Sequence, residues 1–421
     1  MIKPTKLLRT LILKNAQQLT KDDVQSGLDY VRSYWSEIIY EQPQDAGSLI
    51  GLPHKYVVPS KGGGAFSFGE QYYWDSFFIA LGLRTNEHQD IVEGMLENLI
   101  YLFKRFHVVP NGSRMYFVGR SQPPVLTSFI FFVYDTFHKS PEWLAERIRI
   151  AEQEYHQVWM NHAHPVWHNV HKNLSRYYDV NVMHDMAEME SGWDMTPRFE
   201  RKCLDFLPVD LNALLYKYET DFARASEVVG DKKTAKKWQA AAAERQATMN
   251  ELMWGKHRGF FFDYNYHKKE RGSIWSLAPY YTMWAGMATK EQAARMVANL
   301  EKFEKIGGLT TTTKPLIDMG IFGSLKTQWA YPNGWAPLHY IVVKGLERYG
   351  YEAEARRIAH KWLKTNMRWF IKHGEFIEKY NVVNPGKPPL RGVYPDQSGF
   401  GWTNAIFERF CQEFIDERTV Y

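Results

Sequence analysis

Apolar residues return at helical spacing along most of the chain. Over residues 22–40 the positions Val24, Leu28, Val31, Trp35, Ile38 and Ile39 share one helical face. Ile91, Met95, Leu99, Leu102 and Phe103 mark a second such face. Similar patterns predict helices over 126–138, 141–160, 234–254, 278–288, 290–306, 335–349, 352–371 and 403–415, and one opening at Asp210, read as its N-cap. Period-two alternation is nearly absent; residues 258–264 read as a turn or short strand. About a dozen helices therefore alternate with short loops, without a linker, a charge run or a repeat of roughly 30–45 residues. The expected fold is all-α: a single domain over 1–421, with 1–21 an N-terminal extension. Polar and aromatic motifs recur in the loops after every second helix or so. Helices paired in a closed double ring, six inner and six outer, would bring such loops to one mouth as a cleft.

Composition narrows the function. The 421 residues are 45% apolar and 24% charged, an ordinary globular balance. A net charge of +5 without any basic block gives no nucleic-acid or polybasic membrane signature. No segment approaches the ~18 apolar residues of a membrane span. The first twenty residues show neither an uninterrupted apolar run nor a small-residue cleavage site, so a cytoplasmic location is expected. Cys203 and Cys411 are far apart and form no disulfide framework or zinc-like spacing. The aromatic share, 15% with 15 Trp, suits the apolar faces of sugar rings.

The candidate chemistry lies in the loops. Glu190-Ser191-Gly192-Trp193-Asp194 sets two acids around a small hinge and an indole, and Gly192 makes it a helix end or loop that presents Asp194. A carboxyl beside an apolar ring is one that desolvation keeps protonated. Breaking a glycosidic bond needs a second carboxylate. Glu378, after the helix that ends near His373-Gly374, fits that need. The Gly62-Gly63-Gly64 run lacks the Lys-Ser/Thr of a phosphate loop. His162, His164, His168 and His171 have no carboxylate or cysteine at tight spacing, so they read as a solvated helix end or surface loop, with no metal.

Several motifs occur together in a characteristic order. They are Phe68-x-Glu70-x-Tyr72-Tyr73-Trp74-Asp75, Arg120-Ser121-Gln122-Pro123-Pro124, the Glu190–Asp194 pentapeptide and Val209-Asp210-Leu211-Asn212. After them come Gln328-Trp329-x-x-Pro332-Asn333-Gly334-Trp335-Ala336-Pro337, Glu378-Lys379-Tyr380 and Gly399-Phe400-Gly401-Trp402-Thr403-Asn404. In these motifs the chain resembles the trehalase family of glycoside hydrolases, inverting enzymes on an (α/α)6 barrel. The resemblance implies that Asp194 is the general acid and Glu378 the general base, with carboxyl groups roughly 6.5–9.5 Å apart. It assigns Phe68, Trp74, Asp75, Asn111, Arg120, Gln122, Gln328 and Trp329 to the sugar subsite. It implies hydrolysis of α,α-trehalose to two glucose molecules, no cofactor, a small saccharide as partner, and a monomer or weak homo-oligomer. Ser67, Ala330, Val393 and Asn381 stand where the family carries charged residues, and an expected Arg-Pro-Glu run gives way to Met183-His184-Asp185-Met186. Several of those groups hold the second glucose in the family. Another α-glucoside or α-mannoside, such as one with a glycerate-like aglycone, is therefore the alternative substrate. A non-catalytic sugar-binding protein on the same fold is the alternative of a different class.

Overall fold

The structure is a computed structural model that describes residues 21–62, 67–160, 166–314, 327–392 and 395–415. The expected N-terminal extension lies outside these residues except for Lys21, which opens the first helix. The chain then alternates between an outer and an inner layer. α1 (Lys21–Ile38) is outer and α2 (Tyr73–Ala80) inner; α3 (Gln89–Phe106) is outer, α4 (Leu126–Thr136) inner and α5 (Pro141–Glu154) outer. A short α6 (His184–Glu190) sits in the following loop. α7 (Val209–Val228) is inner and α8 (Lys232–Met253) outer, α9 (Tyr281–Trp284) inner and α10 (Lys290–Ala298) outer. α11 (Ala336–Arg348) is inner, α12 (Glu352–His373) outer, and α13 (Gly401–Phe414) inner. The inner helices touch in the order α2, α4, α7, α9, α11, α13 and back to α2, which closes the expected double ring.

Burial explains which helix goes where. α8 buries Ala235, Trp238, Ala242, Arg245, Met249 and Leu252, one stripe at helical spacing, and leaves its other face to solvent. α2 buries every one of its residues, because it is surrounded on all sides. The outer helices α5, α8 and α10 begin with local side-chain caps from Ser140, Asp231 and Thr289, the last a full capping box with Gln292. The inner helices α2, α4, α7, α11 and α13 have no such cap. At three of these ends, side chains from elsewhere take the exposed N–H groups. Gln122 Oε1 accepts from Trp74 N at 2.9 Å, Tyr218 Oη from Leu126 N at 2.9 Å, and Asp263 Oδ1 from Val209 N at 2.9 Å. Gln122 and Asp263 thereby tie loops to the starts of α2 and α7, and Tyr218 ties α7 to the start of α4.

Several expectations change. α2 lies where the sequence reads as the end of a loop. The pattern over 290–306 yields only α10, a 3-10 turn and a strand residue pair, Glu304–Lys305. Ribbons of two or three residues join the helices; the one that matters here pairs β1 (Asn333–Trp335) with β2 (Lys379–Asn381), antiparallel, Trp335 opposite Lys379. Asp210 is not a cap: it lies within α7, whose N-cap is Pro208, and it accepts both terminal nitrogens of Arg198. His168 is buried rather than solvated, with Nε2 3.1 Å from both Glu190 oxygens, and His171 is in a short strand stacked near Tyr264. His162 and His164 lie outside the described residues. Among the described residues no group of three or more His, Cys, Asp or Glu side chains could hold a metal. Cys203 and Cys411 are both buried free thiols.

Candidate active site

A cavity of about 420 Å3 opens where the inner helices begin. Phe68, Trp74, Asp75 and Asn111 line it, and so do Arg120, Gln122, Gln328 and Trp329. Asp194 and Glu378 reach the same cavity. The ten residues singled out by sequence are thus brought together from six separate loops and helix starts.

The turn that delivers Asp194 is built by its neighbours. Glu190 is fully buried and accepts the N–H groups of Ser121 (2.8 Å) and Tyr178 (2.7 Å) as well as His168. It therefore pins three segments and is spent on structure. Ser191 Oγ accepts Trp193 N–H at 3.1 Å. Gly192 sits at φ +70, and a Cβ there would come within 2.7 Å of the Trp74 indole. Both the left-handed backbone and the close approach require glycine. Gly192→Ala is expected to displace Trp74 and Asp194 together and lower kcat by at least about tenfold. A changed near-ultraviolet dichroism with retained far-ultraviolet signal would check this; unchanged kinetics would contradict it.

Burial raises the Asp194 carboxyl to about 7, aided by the negative charge of Glu378 and opposed by the Arg120 guanidinium. Burial likewise pushes Asp75 well above the usual carboxylate range, with Glu378 and Asp194 adding to the shift. Glu188, which accepts Thr196 N–H at 2.8 Å, is raised to about 8 by burial, with the charge of Asp194 contributing. Glu378 differs in kind. Its Oε2 accepts from Lys379 Nζ at 2.7 Å, and its carbonyl accepts from Trp402 Nε1 at 3.2 Å. Arg120 donates from Nη1 to the buried Asp179 at 3.0 Å and lies over the Phe117 ring. Asn111 donates its amide to the carbonyls of Ser121 and Met189, which leaves its oxygen as the group it can offer the cavity.

Trp329 stacks on Trp335 at 3.7 Å and 2° and more loosely on Trp193 at 5.5 Å, so the wall of the cavity is also core. Asn333 holds that wall: its Nδ2 donates to the carbonyls of Gln328 and Leu390, and its Oδ1 accepts Leu390 N–H at 2.8 Å. Gln328 Oε1 is buried with no hydrogen-bond partner among the described residues. The cavity also takes in residues the sequence reading left aside, among them Glu70, Tyr72, Arg114 and Tyr116. Gln397, Phe400 and Trp402 complete it. Glu70, Tyr72, Phe400 and Trp402 stand inside motifs already visible in the sequence. Arg114 and Tyr116 belong to the loop that carries Asn111; Arg114 Nε pairs with Glu70 at 3.0 Å and its Nη1 donates to Ser48 Oγ at 3.0 Å. Of the departures, Ser67 lines the cavity, Ala330 is buried beside Trp329, and Asn381 Oδ1 accepts Asn384 N–H in a turn. Val393 lies outside the described residues.

The trehalase family profile matches residues 13–191 and 178–414. A cytosolic neutral trehalase of Beauveria bassiana is 33% identical over 440 residues, covering 86% of this chain and 58% of its own length. One of Neurospora crassa is 33% identical over 445 residues, with coverage of 86% and 58%. The chain thus spans 58% of the length of these relatives. Among solved structures, the neutral trehalase Nth1 of Saccharomyces cerevisiae superposes with a TM-score of 0.75 at 30% identity, over 93% of this chain and 80% of that one. A mannosylglycerate hydrolase of Thermus thermophilus shares the fold, with a TM-score of 0.62 at 20% identity over 84% of this chain and 95% of that one. With the family profile covering most of the described residues, on a closed double ring of helices, the chain belongs to the trehalase family.

Proposed function

We propose that the chain is an inverting glycosidase whose substrate is α,α-trehalose, acting in the cytosol as the names of its relatives indicate. The observation that carries this reading is that one cavity brings together two carboxyl groups in unlike settings, Asp194 enclosed and raised by burial and Glu378 set beside Lys379. Asp194 protonates the departing glycosidic oxygen. Glu378 takes a proton from the water that attacks the anomeric carbon on the opposite face. Asp75, also kept neutral by burial, can donate as well as accept toward sugar hydroxyls. Gln328 Oε1, without a partner among the described residues, is an acceptor that a hydroxyl would satisfy, and Trp329 offers an apolar wall.

The pH dependence follows in sign. A general acid works while it keeps its proton, so activity falls as pH rises through the Asp194 value of about 7. The alkaline limb of kcat/KM is expected near pH 7, and it should vanish from whatever residual activity Asp194→Asn retains. A wild-type profile flat to pH 9 would remove Asp194 from this role.

Charge favours a neutral aglycone over an acidic one. Among the described residues, the cations at or next to the cavity are already matched: Arg114 with Glu70, Arg120 with Asp179, Lys379 with Glu378 and Asp396. A glycerate carboxylate would find each of these cations already facing a carboxylate, with Glu70 and Glu378 beside it. Purified protein should release glucose from trehalose and leave glucosylglycerate and mannosylglycerate intact. Preference for either glycerate would overturn the trehalose assignment.

A further inference from the structure

Lys379 is a buried ammonium, with its side chain only 1% exposed. Its Nζ lies 2.7 Å from Glu378 Oε2, 3.1 Å from Asp396 Oδ1 and 5.3 Å from the centroid of the Trp335 ring. Burial alone would strip its proton, but the two carboxylates outweigh that effect and raise its pKa. Asp396 is in turn paired at the rim with Arg391, which is largely exposed.

The backbone beneath these side chains is fixed by other groups. Glu378 N–H donates to Gln397 O at 3.0 Å, while Trp402 Nε1 and Thr403 Oγ1 donate to the Glu378 carbonyl at 3.2 and 3.3 Å. Lys379 is held in register opposite Trp335 in the β1–β2 ribbon. The ammonium is therefore not what keeps this segment in place. It acts on the carboxylate.

We infer that Lys379 is a positioning residue for the base: it occupies Glu378 Oε2, leaves Oε1 for the attacking water, and sets a buried positive charge beside the carboxylate. This rests on the assignment of Glu378 as base. The charges acting on Glu378 come from more than its own strand. Lys379 on β2 favours its negative charge, Asp396, tempered by Arg391, opposes Lys379, and Asp75 on α2 and Asp194 after α6 are carboxyls that burial biases to the neutral form. Arg120 acts on this set through Asp194. Lys379 and Asp396 thus act on the base carboxylate with opposite signs.

The test is the pH profile of kcat/KM for Lys379→Met, Lys379→Arg and Asp396→Asn, with Glu378→Gln as reference and folding checked by far-ultraviolet dichroism. Without the adjacent cation, Lys379→Met should move the acid limb up by roughly one to three pH units. Its kcat should fall and its KM change little. Lys379→Arg keeps the charge and should restore the limb toward wild type. Asp396→Asn should move the limb down, because Lys379 then serves Glu378 alone; this variant decides the matter even where Lys379→Met does not fold. An acid limb that stays put in folded Lys379→Met, or in Asp396→Asn, overturns the inference while an inactive Glu378→Gln leaves the base assignment standing. An active Glu378→Gln overturns that assignment itself, and this inference with it.

Discussion

Asp194→Asn is expected to lower kcat on trehalose by about 10²–10⁴-fold, the range that a positioned general acid contributes. The substitution keeps the shape and removes only the transferable proton, so KM should change little. Glu378→Gln should cost a similar factor. The Asp194 variant carries a second, independent signature in stability. In the unfolded chain an aspartate has the ordinary value of 3.8, whereas burial in the folded protein raises Asp194 to about 7. Between those values the folded state holds a proton that the unfolded state has released, so stability from this group is lost as pH rises through that window. Asparagine has no such dependence. The variant should therefore gain stability relative to wild type as pH rises from 4 towards 8, while it loses turnover. Urea unfolding of both proteins at pH 5 and pH 8 checks this. A variant equally stable relative to wild type at both values would contradict the burial of an ionising group at 194.

Arg198→Met is expected to cost about 3–5 kcal/mol of stability, the usual penalty for leaving buried carboxylates without their cation. Arg198 is fully enclosed and makes four hydrogen bonds: Nε to Asp263 at 3.1 Å, Nη1 to Asp210 at 3.0 Å, and Nη2 to Asp210 at 2.7 Å and to Asp263 at 2.9 Å. Its guanidinium also covers the Trp193 ring at 4.4 Å. One side chain thus joins the turn carrying Asp194 to the start of α7 and to the loop at Asp263. Lysine restores the charge but not the planar fork, so Arg198→Lys should recover part of the loss only. Denaturant titration measures both. A loss below about 1 kcal/mol for Arg198→Met would mean that the carboxylates find water or other donors.

Helices of both layers are readable from the apolar pattern, α4, α11 and α13 among the inner ones. α1 and α8 each bury one stripe, and a stripe is what periodicity detects. α2 was hidden for the opposite reason: enclosed by neighbours, it buries polar and apolar residues alike, Asp75 and Ser76 among them, and shows no period. The two- and three-residue ribbons are too short to alternate, although β1 and β2 are what bring Lys379 against the Trp335 stack. The sugar-subsite residues could be picked out through the family resemblance of the motifs that hold them, while Asp194 and Glu378 could also be read from their own loop settings. What those motifs could not separate was role from support. Gly192 already marks Asp194 as the acid presented to a loop, but nothing local shows that Glu190 is consumed by Ser121, Tyr178 and His168. Trp193 is core, and enclosure by the whole fold, rather than by one adjacent ring, raises Asp194. Arg114 is held at the site by Glu70 and Ser48, contacts 44 and 66 residues apart that no local pattern encodes.

The central claim is a single displacement by water, with Asp194 as acid and Glu378 as base. Proton NMR of the purified protein with trehalose, read in the first minutes before mutarotation, tests it most directly. Inversion at one anomeric carbon releases β-glucose from the attacked ring and α-glucose from the leaving ring, in equal initial amounts. That is the expected result. Initial release of α-glucose alone would mean retention through a covalent intermediate, and would contradict the assignment of Glu378 as a base acting through water.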